Sequence, residues 1–321
     1  MDENLKNYSF HDFHPPDDNF KEDVIAGLSS CPRSISPKYF YDQQGSKLFD
    51  QITELKDYYP TRCELNIFES FRSEILNAVG NDCVFIEPGA GNGDKGRKLL
   101  DILEPSFYAP IDISKQHLIN AATQIARDYP GVEVSAVCSD FTAKFNLPDE
   151  LPLDNRVIFF PGSSIGNFHP DEAFECLAKL ASHAGTQGKL LIGVDLKKDE
   201  TVLQRAYDDS EGITAQFNLN LLSRINHELS ADFDLDAWQH HALYNSIKGR
   251  IEMHLLSLCP QVIAFDEYEF YFEEKETIHT ENSYKYSIEE FQQLARQAGF
   301  ISQKVWLDKD KLFSVHLFVC G

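Results

Sequence analysis

A glycine-rich turn at residues 87–94 is the first segment whose residue types suggest chemistry. It runs Glu87-Pro-Gly89-Ala-Gly91-Asn-Gly93-Asp94. Glycine lets the backbone adopt positive φ and approach a ligand closely. The dinucleotide fingerprint G-x-G-x-x-G would need a glycine at position 94, where this chain has Asp94. A diphosphate would also be poorly served by a nearby acid, so the turn favours a phosphate-free ligand that carries positive charge.

Acidic and aromatic residues follow at the ends of the next two predicted strands. Asp112 ends the second strand, about 20 residues beyond the turn, where a carboxylate can accept the protons of both ribose hydroxyls. Asp140 and Phe141 end the third strand, where they can bind an adenine amino group and face its ring. Each residue alone also fits a loop acid or a helix cap. Together with the turn they predict S-adenosylmethionine (SAM), an adenosine ligand with a positive sulfonium, as the cofactor. The predicted cofactor-binding residues from this argument are Glu87, Gly89, Gly91, Gly93, Asp112, Asp140 and Phe141.

Short apolar runs alternate with helical patterns through the middle of the chain. Apolar runs that end at glycine or polar residues predict buried strands, and apolar residues three and four apart predict helices. The predicted strands are Val84–Pro88, Phe107–Ile111, Val132–Val137, Val157–Pro161 and Lys189–Leu196, and the helices are Asp94–Leu103, Lys115–Arg127 and Asp171–Ser182. This alternation predicts an α/β fold with a parallel sheet covered on both faces. A helix at Ile288–Ala298 and a hairpin of Ile301–Trp306 with Phe313–Val319 complete the Rossmann-like sheet typical of class I methyltransferases.

The α/β rhythm is interrupted between residues 197 and 286. This segment has a helical stretch at Ala215–Glu228 and two strand-like runs, Arg250–Leu256 and Val262–Phe272, the second alternating as EYEFYF with one solvated face. The first 60 residues contain a further helical pattern at Gly45–Leu55. We expect residues 61–196 and 287–321 to form the methyltransferase domain. We expect residues 1–60 and 197–286 to form a second, α+β domain that binds the substrate over the cofactor cleft.

Composition excludes several classes of partner. The 321 residues carry a net charge of −22 and no basic stripe, which excludes an unaided nucleic-acid surface because phosphate binding needs clustered Lys and Arg. No apolar run approaches the ~20 residues that span a bilayer, and the polar, acidic N-terminus is unlike a signal peptide. Seven cysteines without CxxC pairs, and histidines without HxxxH or HExxH spacing, predict free thiols and no bound metal. We expect a cytoplasmic monomer that acts on a small molecule, with no nucleic-acid or membrane partner.

Six stretches of the sequence resemble the histidine-specific Nα-methyltransferases of ergothioneine biosynthesis, which form hercynine. They are PKYFYDQQGSKLFDQITELKDYYPTR (Pro37–Arg62), EPGAGNGDKGRKLLD (Glu87–Asp101), GSSIGNF (Gly162–Phe168), AYDDSEGITAQFNLNLLSRIN (Ala206–Asn226), RIEMHL (Arg250–Leu255) and IHTENSYKY (Ile278–Tyr286). In the EPGAGNGDKG turn this chain departs from its relatives, which more often have a Leu-Gly-Ser-Gly loop followed by Lys-Thr-Arg. The resemblance implies SAM-dependent methylation of the α-amino nitrogen of free histidine, in three successive steps.

The resemblance implies roles for residues around the reacting amine. Lys95 would approach the methionine part of the cofactor, and Asn167 with Tyr207 would hold the carboxylate and amino group of the substrate. Tyr41 would lie near the amine. The nucleophile must be neutral, and an α-amino group of pKa ~8 has a neutral fraction without a strong base. We therefore expect Tyr41 or Asn167 to act as the catalytic residue that orients the lone pair, while water takes the proton.

A second set of implied roles concerns the imidazole of the substrate. Glu281 and Ser283 would hydrogen-bond its nitrogens, Met253 would line the pocket, and either Tyr58 or Tyr59 would lie nearby. Independently of the resemblance, an imidazole with one N–H and one lone pair needs one acceptor and one donor. Residues two apart in an extended segment point to the same face, so Glu281 and Ser283 can meet one ring.

Simpler interpretations fit the same residues. Glu281 also suits a surface ion pair with Lys285, and Met253 or the tyrosines also suit ordinary packing positions. Two other functions fit the sequence as a whole: Nα-methylation of a different amino acid or amine, and a non-catalytic regulator that binds an adenosine ligand. Turnover with labelled cofactor separates an enzyme from such a regulator.

Overall fold

The computed structural model describes residues 5–13, 19–142 and 145–321 of the chain. Within them the strands are β1 (Tyr8–Asp12), β2 (Arg33–Ser34), β3 (Val84–Pro88), β4 (Phe107–Asp112), β5 (Glu133–Cys138), β6 (Arg156–Phe160), β7 (Lys189–Asp195), β8 (Trp238–Asn245), β9 (Arg250–Ser257), β10 (Gln261–Phe265), β11 (Tyr268–Phe272), β12 (Thr277–Tyr284), β13 (Phe300–Leu307) and β14 (Phe313–Cys320). The α-helices are α1 (Phe20–Ser29), α2 (Gln43–Glu54), α3 (Tyr59–Ser70), α4 (Arg72–Val79), α5 (Asp94–Leu103), α6 (Lys115–Asp128), α7 (Pro170–Ala184), α8 (Glu200–Tyr207), α9 (Ile213–Leu229) and α10 (Ile288–Gln297). Short 3₁₀ helices lie at Pro37–Phe40, Ser164–Asn167 and Leu235–Ala237.

The larger sheet contains eight strands in the order β1-β5-β4-β3-β6-β7-β14-β13. Neighbouring strands from β1 to β7 are parallel, whereas β14 is antiparallel to both β7 and β13. The predicted α/β sheet with a terminal antiparallel hairpin is confirmed, and its predicted strands and helices lie within two residues of the observed ones. The sequence does not predict β1, because its residues, YSFHD, are mostly polar and only half-buried.

The central strands are apolar because both faces of the sheet are covered. β3 and β6 are buried at every position, and since side chains alternate along a strand, both faces must be packed. α6 packs on β4 and β5, and α7 packs on β6 and β7. Buried residues such as Ile111, Phe160 and Leu190 form the core of this layer.

The strand order reverses between β3 and β6. β4 and β5 continue on one side of β3, and β7 continues on the other side of β6. In open α/β sheets, ligands bind outside the carboxyl ends of the strands at such a point. The glycine turn follows β3, Asp112 ends β4, and Asn167 lies in the loop after β6. The topology therefore brings three predicted site segments to one edge of the sheet.

Contacts between residues divide the chain into two compact units. The sheet unit takes in the described residues within Met1–Pro15, Pro60–Lys197 and Lys285–Gly321, and the second unit takes in those within Pro16–Tyr59 and Lys198–Tyr284. The expectation from the sequence was 61–196 with 287–321, and 1–60 with 197–286. The expected placement of residues 1–60 in one domain needs a correction. β1 belongs to the sheet unit, because its backbone pairs with β5.

The second unit is built on a four-stranded sheet in the order β2-β12-β9-β8. β12 is antiparallel to β9, β9 is antiparallel to β8, and the short β2 runs parallel to β12. α9 packs on β8, β9 and α2, and α8 packs on β8 and β9. This combination of helices with a mainly antiparallel sheet is the α+β composition that the sequence predicts.

The run Val262–Phe272 was predicted as one strand but forms two. β10 and β11 pair as a separate antiparallel hairpin. Its turn contains Asp266 with φ of 50°, a conformation that the alternation of apolar residues does not reveal. Within β11 the two phenylalanines are buried and the two tyrosines are exposed, which confirms the predicted solvated face.

The described part of the chain has neither a membrane-spanning helix nor a cluster of metal ligands. None of its helices combines the length and apolar character needed to cross a membrane. All seven cysteines are free thiols, as predicted. Over the same residues, no group of three or more His, Cys, Asp or Glu side chains is arranged to hold a metal ion.

A buried histidine in the sheet unit makes stability depend on pH. His316 on β14 is fully buried beside Phe291 and Phe318, and burial lowers the pKa of its imidazole from 6.5 to about 3. As the pH falls from 6.5 toward 3, the unfolded chain takes up a proton at His316 that the folded chain does not. We expect this difference to remove about 1.4 kcal/mol of unfolding free energy per pH unit in that range.

Chemical denaturation of wild type and His316→Phe across this pH range measures the effect. Phenylalanine fits the aromatic surroundings and does not titrate, and Ser314 keeps its hydrogen bond to the Val194 carbonyl. The variant should therefore lose less stability on acidification. Replacement of the exposed His227 by phenylalanine is the control. Equal pH slopes for wild type and His316→Phe would contradict the prediction.

Candidate active site

The glycine turn after β3 has a backbone geometry that favours glycine. Gly89, Gly91 and Gly93 have φ of 72°, 56° and 76°, all in the left-handed region. A Cβ at Gly93 would lie 2.8 Å from Ile125 Cδ1 of α6, whereas one at Gly91 would meet no atom within 4 Å. The turn is thus packed against α6 at one glycine and open at another, which leaves room for a ligand against the backbone at Gly91.

Asp112 braces this turn from the neighbouring strand. Its Oδ2 accepts a hydrogen bond from the Gly91 amide at 2.9 Å, and its Oδ1 accepts one from the Ser114 amide at 2.8 Å. Burial raises the pKa of the Asp112 carboxyl, and these two amides oppose the rise. Each carboxylate oxygen can accept a further hydrogen bond, so Asp112 retains the capacity to bind both ribose hydroxyls of an adenosine ligand.

Asp140 and Phe141 follow β5, at the next strand end. The Phe141 ring lies beside the turn, because a Cβ at Gly89 would be 3.3 Å from its Cε1. The same ring meets Phe160 edge-on, with the centroids 5.6 Å apart. Asp140 Oδ1 accepts hydrogen bonds from the amide and the hydroxyl of Thr142, at 2.9 and 2.5 Å. The structure brings Phe141 to the glycine turn, whereas contact between Asp140 and an adenine stays a prediction.

Glu87, the acid before the turn, is less charged than the sequence suggests. Its side chain is fully buried, and its Oε2 accepts a hydrogen bond from the Tyr108 hydroxyl at 2.5 Å, while Oε1 has no partner among the described residues. Burial raises the pKa of the Glu87 carboxyl to about 8, against the opposing effects of Tyr108 and Lys95. Glu87 is therefore mostly neutral at pH 7. Contact between Glu87 and a cofactor stays a prediction.

Lys95 on α5 is held by a carboxylate that the sequence analysis missed. Glu64 on α3 is fully buried, and its Oε2 lies 2.7 Å from Lys95 Nζ. The same oxygen accepts a hydrogen bond from the Gly162 amide at 3.0 Å. Glu64 therefore joins α3, α5 and the loop after β6. A signal was available, because the buried Ile67 lies three residues on, and helical spacing places Glu64 on the same buried face.

Asn167 ends the 3₁₀ helix in the loop after β6. The loop enters this helix through Ser163, whose φ of 60° lies in the left-handed region. Ser163 Oγ accepts a hydrogen bond from the Asp195 amide of β7 at 2.9 Å. With Glu64 on the Gly162 amide, the loop is fixed from two sides and holds Asn167 at the carboxyl edge of the sheet.

Four predicted substrate residues come together in the second unit. Glu281 on β12 lies opposite Met253 on β9, and the Tyr207 hydroxyl lies 2.6 Å from Ser283 Oγ. All four side chains are buried. Opposite residues of an antiparallel pair share a sheet face, as do residues two apart on one strand. Glu281, Ser283 and Met253 therefore point to the same side of this sheet.

A surface ion pair between Glu281 and Lys285 is inconsistent with the burial of both side chains. Glu281 is 9% exposed and Lys285 is 2% exposed. Lys285 Nζ lies 2.7 Å from Asp195 Oδ2, which is also buried. The burial of both side chains does not fit an exposed salt bridge.

Tyr58 and Tyr59, between which the sequence did not decide, have different surroundings. The Tyr58 ring meets the Tyr207 ring edge-on, with the centroids 6.3 Å apart. The Tyr59 hydroxyl instead accepts a hydrogen bond from Lys198 Nζ at 2.7 Å. Tyr58 is therefore the tyrosine next to the residue that contacts Ser283.

Tyr41 lies in an aromatic cluster of the same unit. Its ring is edge-on to Phe49 and Phe217, with centroid distances of 5.7 and 5.9 Å. Phe49 is in turn edge-on to Tyr58 at 6.4 Å. Tyr41, Phe49, Tyr58 and Phe217 thus form a continuous group, the aromatic cluster, which reaches Tyr207 through Tyr58.

Comparison with known proteins decides the family. Residues 20–320 match the model of a family described as histidine-specific methyltransferase, SAM-dependent. A histidine N-alpha-methyltransferase of Mycolicibacterium smegmatis is 41% identical over 307 residues, which cover 93% of this chain and 94% of that protein. The chain belongs to this family. It is an S-adenosylmethionine-dependent methyltransferase, so the predicted resemblance, class I fold and cofactor are confirmed.

Two further relatives differ in their substrates. A histidine N-alpha-methyltransferase of Mycobacterium tuberculosis is 46% identical over 240 residues, covering 73% of this chain and 74% of that protein. A 4-dimethylallyltryptophan N-methyltransferase of Claviceps purpurea is 26% identical over 321 residues, covering 91% of this chain and 92% of that protein. The substrate of this methyltransferase therefore has to be argued from its own residues.

The residues at the sheet edge of this methyltransferase fit SAM. The open backbone at Gly91 and the remaining acceptor capacity of Asp112 suit a ribose, and the Phe141 ring beside Gly89 suits an adenine. The Lys95 ammonium is held in place by Glu64. Because an ammonium has three donors, Lys95 can also bind a second carboxylate, such as that of the methionine part of SAM.

We expect Asp112→Ala to weaken SAM binding by about 1.5–3 kcal/mol, the range for hydrogen bonds to a charged group. The substitution removes the acceptors for the ribose hydroxyls and the brace on the Gly91 amide. Isothermal titration calorimetry measures the effect, with the exposed Asp154→Ala as control. Substrate binding at saturating cofactor should change little. A folded Asp112→Ala protein with unchanged SAM affinity would remove Asp112 from the cofactor site.

Proposed function

We propose that this methyltransferase transfers methyl groups from SAM to the α-amino nitrogen of L-histidine, in three steps that end at the quaternary ammonium of hercynine. The observation that carries the proposal is the buried pair of Glu281 and Ser283 on one face of β12, with the Tyr207 hydroxyl 2.6 Å from that of Ser283. The family description and the name of the Mycolicibacterium smegmatis relative support the same substrate.

The chemistry of an imidazole matches this pair. A neutral imidazole presents one N–H donor and one lone pair. Glu281 supplies a charge-assisted acceptor, and Ser283 supplies a hydroxyl donor from the same face of the strand. An indole or a phenyl ring cannot use both groups, and a site built to hydrogen-bond its substrate discriminates against analogues that lack the bond. The pair therefore favours histidine over tryptophan and phenylalanine.

The amine needs alignment more than it needs a base. We assign Asn167 and Tyr207 to the carboxylate and amino group of the substrate, and Tyr41 to the orientation of the amine. When bound, SAM supplies a methyl group on a positively charged sulfur. Positioning of two reactants and exclusion of water account for much of the catalysis of such a displacement. Because a neutral fraction of an α-amino group of pKa ~8 exists at physiological pH, water can accept the proton.

The aromatic cluster suits a product with a permanent positive charge. Cations are attracted to aromatic faces within about 6 Å, by ~0.5–2 kcal/mol. Tyr58, the member next to Tyr207, is the tyrosine that we assign to the substrate pocket, because Tyr207 in turn contacts Ser283. Met253, opposite Glu281, is assigned to the pocket wall.

A second candidate function is N-methylation of a tryptophan-like amino acid, which the Claviceps purpurea relative favours. Incubation of the enzyme with SAM and each common amino acid, followed by mass spectrometry, distinguishes the two. We expect histidine to be the preferred substrate, because its imidazole uses both Glu281 and Ser283. It should gain one, two and then three methyl groups. Faster methylation of tryptophan, or cofactor binding without turnover of any amino acid, would contradict the proposal.

We expect Glu281→Ala to lower kcat/KM for histidine by about 10–100-fold, because it removes the charge-assisted acceptor. It should also narrow the preference for histidine over tryptophan, and addition of Met253→Val should enlarge the pocket further. Glu281→Gln keeps the size of the side chain and one acceptor oxygen, so its kcat/KM for histidine should lie between those of the wild type and Glu281→Ala. Steady-state rates with both amino acids measure the effect.

The control for this series is Glu276→Gln. Glu276 is another acid, directly before β12, and its side chain pairs with Arg33. Its histidine kinetics should match those of the wild type. Unchanged histidine kinetics in a folded Glu281→Ala protein would leave the family and the fold intact and would remove the main reason for naming histidine.

A further inference from the structure

We propose that Asn218, His240 and Thr280 form a positioning network that holds Glu281 and Ser283 on the face of their sheet that carries Met253. The inference rests on the proposed function, because it concerns recognition of the histidine side chain. The three network residues are buried, with exposures of 0%, 8% and 1%. We call them the Asn218 network.

A β-bulge in β12 decides which face Glu281 occupies. Up to residue 279 the strands β12 and β9 pair one to one, but the next paired residue is Glu281, opposite Met253, so Thr280 is an extra residue. Without the bulge, Thr280 would lie opposite Met253 and Glu281 opposite Glu252, on the other face of the sheet. Ser283 would move with Glu281. The bulge therefore places both imidazole-binding side chains on the Met253 face.

The hydroxyl of the bulged Thr280 is fixed by two acceptors. It lies 2.8 Å from Asn218 Oδ1 and 3.1 Å from the carbonyl oxygen of Met253. Asn218 Nδ2 donates to the carbonyl of His254 at 3.0 Å and lies 2.9 Å from His240 Nδ1. Asn218, on α9, therefore connects the bulge in β12 to both β9 and β8.

The partners determine the orientation of the Asn218 amide and the tautomer of His240. Because a backbone carbonyl only accepts, Asn218 must turn Nδ2 to His254 and Oδ1 to Thr280. His240 Nε2 lies 2.8 Å from the carbonyl of Tyr207, so Nε2 carries the ring proton and Nδ1 accepts from Asn218. Burial lowers the pKa of the His240 imidazole, which agrees with this neutral tautomer. The amide and the imidazole are therefore both locked in orientation.

The same chain of contacts reaches Ser283 from the other end. Tyr207 accepts from His240 through its carbonyl and places its hydroxyl 2.6 Å from Ser283 Oγ. Loss of the Thr280 hydroxyl therefore acts on Glu281 through strand register, and loss of the His240 imidazole acts on Ser283 through Tyr207. Both imidazole-binding groups depend on residues that need not touch the substrate.

Thr280→Val tests the network, because valine keeps the shape and β-branching of threonine and removes the hydroxyl. We expect Thr280→Val to raise the KM for histidine by about 10–100-fold, since small misplacements of binding groups have effects of this size. The affinity for SAM should stay the same. Thr280→Ser, which keeps the hydroxyl, should remain near wild type.

The matched control is Ser257→Ala. Ser257 is an equally buried residue of β9 in the same sheet, and its hydroxyl donates to the Cys259 carbonyl at 2.8 Å. Ser257→Ala should lower Tm, because it removes a buried hydroxyl and its hydrogen bond, but it should not change the KM for histidine. A merely structural role of Thr280 predicts that Thr280→Val behaves like this control.

Amide hydrogen exchange of residues 277–284 measures the state of the bulge independently of activity. We expect faster exchange in Thr280→Val than in Ser257→Ala. If both exchange and histidine KM match the control, the inference is overturned. Should Thr280→Val fail to fold, His240→Leu compared with His240→Gln, which keeps a donor and an acceptor, gives the same test. Absence of histidine turnover by the wild type would overturn the proposed function, while faster exchange confined to Thr280→Val would still support the network.

Discussion

Side chains alternate between the two faces of a β-strand, and this constraint governs the second unit. One inserted residue, Thr280, sets which side chains of β12 share a face with Met253. On the opposite face, Glu252 accepts a hydrogen bond from Arg250 Nε at 2.7 Å. An unbulged β12 would place Glu281 beside that pair, where two acids would face one guanidinium. The bulge therefore places Glu281 on the opposite face of the sheet from Glu252, the acid that neutralises Arg250.

Buried carboxylates organise the sheet unit in a comparable way. A buried charge is costly unless it is paired or neutralised. Glu64 meets Lys95, and Asp195 meets Lys285, each at 2.7 Å. Glu87 follows the other route, because burial raises the pKa of its carboxyl to about 8. These groups fix the glycine turn, the loop after β6 and the end of β7 by polar contacts, so the edge of the sheet that carries the predicted cofactor residues is held by specific pairs as well as by apolar packing.

Much of the sheet unit follows from local sequence. The strand Val84–Pro88 and the helix Asp94–Leu103 have the bounds that apolar periodicity predicts, because burial of one face or of a whole strand leaves its pattern in consecutive residues. The spacing of the glycines likewise predicts positive φ at Gly89, Gly91 and Gly93. Motifs of the second unit predict the family, although their local pattern did not reveal that Val262–Phe272 folds back on itself at residue 266.

Only the tertiary structure decided the partners of the buried polar groups. Local spacing does not predict that Lys285 pairs with Asp195, which is far away in sequence. The contact between Glu64 and Lys95, the pairing of β1 with β5 and the bulge at Thr280 have no local signature either. The physical reason is that a hydrophobic period belongs to one segment, whereas an ion pair or a strand register is formed by two segments that meet only when the chain folds.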